Sequence, residues 1–362
     1  MNKIFTTSAV SDWWLEHFTR LGYKFESIND DHIIDHIDKG DMIVVWETQW
    51  NIVHKNIDRI KKAKDTYPTF KIIVAIDHSF RYKKLLHRID EELDGYKETV
   101  SFCTIQHMAE DFKNVDVTSI GSNEYWCQHD IAEYVINNWI GKRKPHNEKD
   151  NIFLFLQGMR MDKFRKELLA AFKQWSNNTY CYSPIVRSDT TGYNRIKDFE
   201  EWSIKTFDNK NMFGGFGNGP PRFDYYDKAQ VELVVETNVE DDIIHFSEKV
   251  WRPIACKMPF LLIAGSMTLQ KLLDIGYKLE PLDYYEKIIG GHDDKISLFF
   301  NTCDTIIKDN SLIKKMEKAS EHNHNHFWNT RPKLFWPGVI KNAEKLFGYC
   351  KINEVYERLL KI

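Results

Sequence analysis

Short β-branched runs alternate with amphipathic stretches of helical length along most of this 362-residue chain, and no other feature limits its fold as tightly. Parallel strands must be joined by crossovers, usually helices, so this alternation predicts α/β layers on parallel sheets. In the N-terminal half, strand-like runs lie at Ile4–Thr7, Met42–Trp46, 71–76, Val100–Thr104 and 115–119. Between them, 12–21, 52–64 and 80–93 carry apolar residues at helical spacing. Trp13, Trp14, His17 and Phe18 would then lie over the sheet, with Ser11 or Asp12 as the N-cap. After a helix near 130–140, the polar stretch 141–150 holds Gly141 and Pro145 and reads as an interdomain linker. A strand at 152–156 and a helix over 162–175 restart the pattern. The runs 231–235 and Phe260–Ile263 read as strands buried on both faces, and helical stretches fill most of the chain from 293 onward. The expectation is two Rossmann-like domains facing a cleft, at 1–145 and 151–335, with a C-terminal helix over 336–362 packing back on the first. Open sheets of this kind take ligands at the carboxyl ends of their strands.

The bulk composition narrows the function classes. Hydrophobic residues make up 42% of the chain and the net charge is -3, so neither a membrane nor a polyanion is demanded as partner. No apolar run approaches the roughly 18 residues of a membrane span. The N-terminus enters a strand-like run with no signal-peptide pattern, which predicts a cytoplasmic location, the host cytoplasm if the source is viral. The six cysteines never form a C-x-x-C pair, which argues against a zinc ribbon or redox motif.

The segment 231–265 carries most of the chemistry. An apolar strand ends in Glu236, a polar loop follows, and Ser247 precedes a helix opening on Glu248 and Lys249. A helix N-terminus offers free N–H groups to an anion. Lys249 and Arg252 add positive charge suited to a pyrophosphate, and Glu248 can accept hydrogen bonds from ribose hydroxyls. Pro253 leaves two readings open. With Ser247 as N-cap, the proline sits inside the helix at a cost of ~3 kcal/mol, as expected where function overrides stability. Alternatively, the helix begins near Arg252 and the proline lies unstrained in its first turn.

The stretch HFSEKVWRPIACKMPFLLIAG resembles the donor-site motif of GT-B glycosyltransferases related to the α1,3-fucosyltransferases, in which a Glu-Lys pair opens the helix after a buried strand. Similarity extends through 272–278, 283–288 and the helix carrying His322 and Asn323, and back to 153–172, where Arg160 and Arg165 match an R-x-x-x-x-R pair facing the donor. The resemblance covers about half the chain, roughly 151–330. It implies a GT-B-like fold and a metal-independent transfer from a nucleotide sugar. No cofactor or metal is implied, and Arg160, Arg165, Glu236, Ser247, Glu248, Lys249 and Arg252 form the expected donor site. The family lacks a proline where Pro253 stands, so its sugar specificity does not carry over.

An inverting transfer needs a general base on the acceptor hydroxyl. Strand-end loops of the N-terminal half offer Asp12, Glu47 and Asp77 (the last beside His78), and Asp12 and Asp77 would serve equally as N-caps. His322, His324 and His326 have the spacing of a helical metal pair but no placed carboxylate or Cys partner, so no metal is expected. The glycine-rich stretch 213–221 lacks the Gly-Lys-Ser/Thr of a phosphate loop and reads as a surface or cleft loop.

Between 52 and 88, ten basic residues face three acids, whereas the first 51 residues carry four basic and nine acidic ones. Such a basic face can meet a phosphate backbone. The acceptor is therefore either a glycan or a hydroxymethylated base in phage-type DNA, with Trp13, Trp14, Trp46, Trp50 and Trp126 as candidates to stack an extruded base. A GT-B-like nucleotide-sugar epimerase and a non-catalytic sugar-nucleotide binding protein remain the alternatives.

Overall fold

The computed structural model describes residues 3–8, 10, 15, 18–19, 21–76, 79–93, 99–104, 107–108, 112–119, 151–155, 163–182 and 226–349. Side chains at 79–85, 104, 107–108, 119, 182, 248 and 331–339 are not part of that description. Asp12, Asp77, Arg160, Trp13, Trp14, Trp126 and the segments 130–140, 141–150 and 213–221 lie outside the described residues.

The chain divides into two compact units, 1–126 with 332–362 and 127–331. Each is built on its own parallel sheet with associated helices, which is the α/β class. Among the described residues, no helix is long and apolar enough to cross a membrane.

The first unit's sheet contains β1 (Ile4–Thr7), β2 (Phe25–Ile28), β3 (Met42–Trp46), β4 (Ile72–Ile76), β5 (Val100–Thr104) and β6 (Asp116–Ser119), in the order β2-β1-β3-β4-β5-β6 with every pairing parallel. Successive side chains on a strand point to opposite faces. Met42 and Val44 accordingly join one core, with Phe18, Leu21 and Phe347, while Ile43 and Val45 join another, with Trp50, Val53 and Ile60. Burial on both faces is why these strands read as unbroken apolar runs. β2 has no such run, because its central Glu26 and Ser27 are exposed at the sheet edge. Helices α1 (Ile33–Ile37), α2 (Trp50–His54), α3 (Ile57–Thr66) and α4 (Ser79–Glu92) fill the connections. The periodic stretch 52–64 is thus two helices, interrupted at Asn56, whose carboxamide turns back to the Ile52 carbonyl at 2.9 Å.

The second unit holds β7 (Asn151–Phe155), β8 (Cys181–Tyr182), β9 (Ala229–Val235) and β10 (Phe260–Ile263), in the order β10-β9-β7-β8 and again all parallel. Its helices are α5 (Lys163–Gln174), α6 (Glu248–Ala255), α7 (Ser266–Asp274), α8 (Leu282–Ile289), α9 (Lys295–Lys308) and α10 (Asn310–Phe347). The end of α10 belongs to the first unit, where Ala343, Leu346 and Phe347 enter the core and Phe347 meets Phe18, Tyr23 and Phe25.

Strand β10 lies at the sheet edge, where unpaired backbone groups would invite pairing with another chain. Two side chains close it. The Tyr285 hydroxyl accepts from the Leu262 N–H at 2.9 Å, and the Tyr284 hydroxyl donates to the Leu262 carbonyl at 3.1 Å. Burial raises both phenol pKa values well above the usual range, so the two hydroxyls stay protonated. The Asn323 carboxamide likewise bonds both backbone groups of Lys278, at 2.7 and 2.8 Å. Burial also pushes the thiols of Cys103, Cys181 and Cys303 up, which leaves them as inert packing residues.

Candidate functional site

In the second unit the chain runs from β7 outward to β8, then returns across β7 to β9 and continues to β10. The strand order therefore reverses between β7 and β9. In open α/β sheets the crevice at such a reversal, at the carboxyl ends of the strands, is where ligands bind. Five of the expected donor-site residues have described side chains, and four of them, Arg165, Glu236, Ser247 and Lys249, meet at this point.

Glu236 follows the last residue of β9 and is 1% exposed. A carboxylate so buried must be satisfied, and its partners are local. Oε1 accepts from the Ser247 N–H at 3.0 Å, while Oε2 accepts from the Ser247 hydroxyl at 2.5 Å and the Thr237 N–H at 3.0 Å. Ser247 is in turn the N-cap of α6, its Oγ accepting from the Lys249 N–H at 3.3 Å. Glu236 thus ties the start of α6 to the end of β9. The Lys249 ammonium reaches back to the Thr237 hydroxyl at 3.1 Å and Ser247 Oγ at 3.4 Å. From α5, Arg165 is 3% exposed and donates through Nη2 to the Glu236 carbonyl at 3.3 Å. One cation on the helix that follows β7 and another on α6 therefore converge on the end of β9. Glu248 opens α6, and its side chain is outside the description.

Because α6 begins at Glu248 behind the Ser247 cap, Pro253 sits within the helix. It supplies no N–H to the Lys249 carbonyl, so one rung of an eight-residue helix is missing. The far end is closed by a Schellman pair, Lys257 N–H to the Ile254 carbonyl at 3.2 Å and Met258 N–H to the Pro253 carbonyl at 2.8 Å. The turn residue is Lys257 with φ 55°, where glycine would be the unstrained choice.

Arg252 occupies a different environment from the one expected of a phosphate ligand. Its Nη2 lies 2.8 Å from Glu232 Oε1, and the Tyr226 hydroxyl donates to Glu232 Oε2 at 2.8 Å. Arg252 is 9% exposed and Glu232 1%. Burial pushes the Glu232 carboxyl up, with Arg252 and Tyr226 opposing without cancelling it. The Arg252 charge therefore answers a buried carboxylate in β9.

The loop after β9 forms the rim. Lys295 at the start of α9 donates to the Val239 carbonyl at 2.8 Å and to Asp241 Oδ1 at 2.6 Å, and the Ser266 N–H donates to the same oxygen at 2.6 Å. Gly265 is required here, because a Cβ on it would lie 1.8 Å from the Glu240 carbonyl oxygen. Burial works against the Asp241 charge, but Lys295 and Ser266 outweigh it and hold the carboxyl below its usual range. A depressed carboxylate contributes stability that is present above its unfolded pKa of about 3.9 and lost as pH falls through the folded value. Asp241→Asn is accordingly expected to flatten the acid limb of the second unit's stability below about pH 4. Urea titrations at successive pH values would check this, and an unchanged acid limb would count against it.

The first unit has its own reversal. The chain steps from β1 out to β2, then back across β1 to β3 and onward, so the switch point lies between the ends of β1 and β3. Thr7 ends β1 and Trp46 ends β3. A 3-10 turn, Glu47–Gln49, follows directly. Glu47 is 2% exposed, and it is the expected base whose side chain is described. Gln49 was not singled out from sequence. Its Oε1 accepts from the Thr7 hydroxyl and, at 3.3 Å, from the Trp46 N–H, so one side chain spans the ends of both flanking strands. The available signal was a glutamine three residues after the helix N-cap, half of a capping box.

Other candidates have structural partners. Trp50 is 2% exposed in the core and presents no face for stacking, and Trp46 packs half-buried against the other core. His322 and His326 bond the carbonyls of Gly276 at 3.0 Å and Ile275 at 2.7 Å, while His324 Nδ1 accepts from the Trp328 indole at 3.2 Å. Burial lowers the His324 pKa, favouring the neutral ring this bond requires. Among the described residues, no three His, Cys, Asp or Glu side chains cluster as a metal site would need.

No family model matches the chain, and no curated protein matches it in sequence. Among solved structures it is similar to a crystal structure of an α1,3-fucosyltransferase with GDP-fucose, at 9% identity and a TM-score of 0.33, and to one with GDP, at 10% identity and a TM-score of 0.37. Each similarity covers 100% of this chain and 90% of the other.

Proposed function

We propose that this chain is a nucleotide-sugar-dependent glycosyltransferase. Its second unit would hold the donor diphosphate at the end of β9, and its first unit would supply the base that deprotonates the acceptor hydroxyl. The observation that carries the reading is the Glu236–Ser247–Lys249 assembly. A buried carboxylate fixes the cap of α6, which holds the helix N-terminus and the Lys249 ammonium beside the end of β9. Helix N-termini favour anions through their free N–H groups and the helix dipole.

In the reaction the acceptor oxygen forms a bond to the anomeric carbon as the bond from that carbon to the diphosphate oxygen breaks. Glu47 takes the acceptor proton, and the departing diphosphate keeps the electron pair. Lys249 and the helix amides stabilise the charge that develops on it. Attack opposite to departure inverts the anomeric centre. We assign Arg160 and Arg165 to the donor as well, Glu248 to the ribose hydroxyls, and Glu236 and Ser247 to positioning. Arg252 acts through the packing of α6, by way of Glu232. Asp12 and Asp77 stand behind Glu47 as base because Glu47 follows β3 directly at the switch point.

Lys249→Met is expected to weaken nucleoside diphosphate binding about 10- to 100-fold, the range of a lost charge-assisted hydrogen bond. Its thermal unfolding should be near wild type. Calorimetry with UDP, GDP and CMP and their sugars tests this, and the reading fails if wild type binds none of them. The acceptor is a hydroxyl of a glycan or of a hydroxymethylated base in DNA. Arg59, Lys61 and Lys62 are exposed on α3, so a DNA acceptor predicts steeply salt-dependent binding. Salt-independent transfer would identify a saccharide.

A further inference from the structure

We propose that Gln49 holds the oxygen of the reacting hydroxyl beside Glu47, making it a binding residue for a neutral alcohol at the switch point of the first unit. The proposal rests on the transferase reading only in calling that alcohol the acceptor.

The orientation of the carboxamide is fixed by chemistry. The Trp46 N–H can only donate, so the atom facing it must be Oε1, and the Thr7 hydroxyl donates to the same oxygen. That leaves the NH2 group turned elsewhere. Gln49 is 5% exposed, and among the described residues its buried Nε2 has no hydrogen-bond partner. A buried donor left unmade carries a desolvation penalty, and native proteins rarely accept one away from a functional site. Other buried polar atoms without a hydrogen bond among the described residues include Asn238 Nδ2, Thr118 Oγ1 and Ser320 Oγ, and none of them is at the first unit's reversal. Asn238 is in the loop after β9. Thr118 Oγ1 is on β6, three strands from the reversal, and Ser320 Oγ lines a void of about 10 Å³, room for a single water. Among the described residues, Gln49 is the one of these that bridges the two strand ends at the first unit's reversal, where an open sheet takes its ligand.

The partner's chemistry follows from the two groups in this turn. The amide NH2 can only donate and the Glu47 carboxylate can only accept. A ligand group that meets the Gln49 amide and one Glu47 oxygen at once must itself accept and donate. An alcohol does so, its oxygen taking the Nε2 hydrogen while its proton points to Glu47. A phosphate or carboxylate would set like charge against Glu47, and an ammonium has no lone pair for Nε2.

Saturation-transfer NMR on the full chain would test this with three probes: a methyl hexopyranoside, an N-acetylhexosamine and 5-hydroxymethyl-2′-deoxycytidine. At least one is expected to bind, and the probe that binds identifies the source of the alcohol. Gln49→Glu keeps the oxygen that faces Thr7 and Trp46 and removes the donor, so binding should weaken at least tenfold. Gln49→Met should do the same, and the Glu variant decides the matter if Met fails to fold. Nucleoside diphosphate binding should not change in either. Equal probe binding by wild type and variants overturns the assignment, as does failure of every probe to bind wild type. A crystal structure in which Nε2 keeps a water with the probe present would also overturn it. These outcomes leave nucleotide-sugar binding by wild type untouched, so the transferase reading stands or falls separately.

Discussion

Arg252→Ala is expected to destabilise the second unit by about 3–5 kcal/mol, the usual cost of stranding one member of a buried ion pair. Glu232 is enclosed in β9 with Arg252 and Tyr226 on its two oxygens. Without the guanidinium it must either stay charged in an apolar core or take up a proton. Its pKa is already raised in the folded state. A raised carboxyl contributes stability below its unfolded pKa and loses it as pH rises through the folded value. The deficit of Arg252→Ala should therefore shrink as pH is lowered from 7 toward 5. Removing the whole polar set with Glu232→Leu, Arg252→Met and Tyr226→Phe should recover most of the loss, since apolar groups of similar volume often replace buried pairs without penalty. Denaturant titrations of the second unit's transition measure all three effects. A loss under about 1 kcal/mol for Arg252→Ala at pH 7 would mean that Glu232 is satisfied some other way.

Glu47→Gln is expected to lower sugar transfer by about 10²- to 10⁴-fold while leaving nucleoside diphosphate affinity unchanged. Glutamine matches the shape of glutamate but cannot take the acceptor proton, so turnover falls and donor binding does not. A variant that transfers sugar at the wild-type rate would remove Glu47 from the role and bring Asp12 and Asp77 forward. Should both turnover and nucleotide binding collapse together, Glu47 would be a packing residue whose loss disturbs the turn after β3.

Much of the architecture was legible because parallel strands buried on both faces leave an unmistakable record. The runs at Met42–Trp46 and Ile72–Ile76 have no polar position at all except by way of their ends. β2 left no such record, since an edge strand with Glu26 and Ser27 facing solvent resembles a loop. Its absence from the reading mattered, because β2 is what puts the strand reversal between β1 and β3. At the candidate site, the chemistry of Ser247 as cap was readable from its place before Glu248 and Lys249. Arg252 illustrates what was not. Helical proximity to Lys249 suggested a shared ligand, but the deciding neighbour was Glu232, twenty residues earlier. A charged residue in the middle of VELVV was the clue that a buried cation had to be found for it. Gln49 escaped notice because its meaning depends on Thr7, forty-two residues away and brought near only by the pairing of β1 with β3.

The contact between Gly265 and the Glu240 carbonyl has a consequence for anyone who wishes to retarget this protein. The turns leaving β9 and β10 touch backbone to backbone there, with Lys295 and Ser266 clasping Asp241 beside them. Neither turn can be rebuilt alone. Libraries that reshape this edge should hold 238, 241, 265 and 295 fixed together, because the Asn238 carboxamide oxygen accepts from the Glu240 N–H at 2.9 Å and so belongs to the same junction.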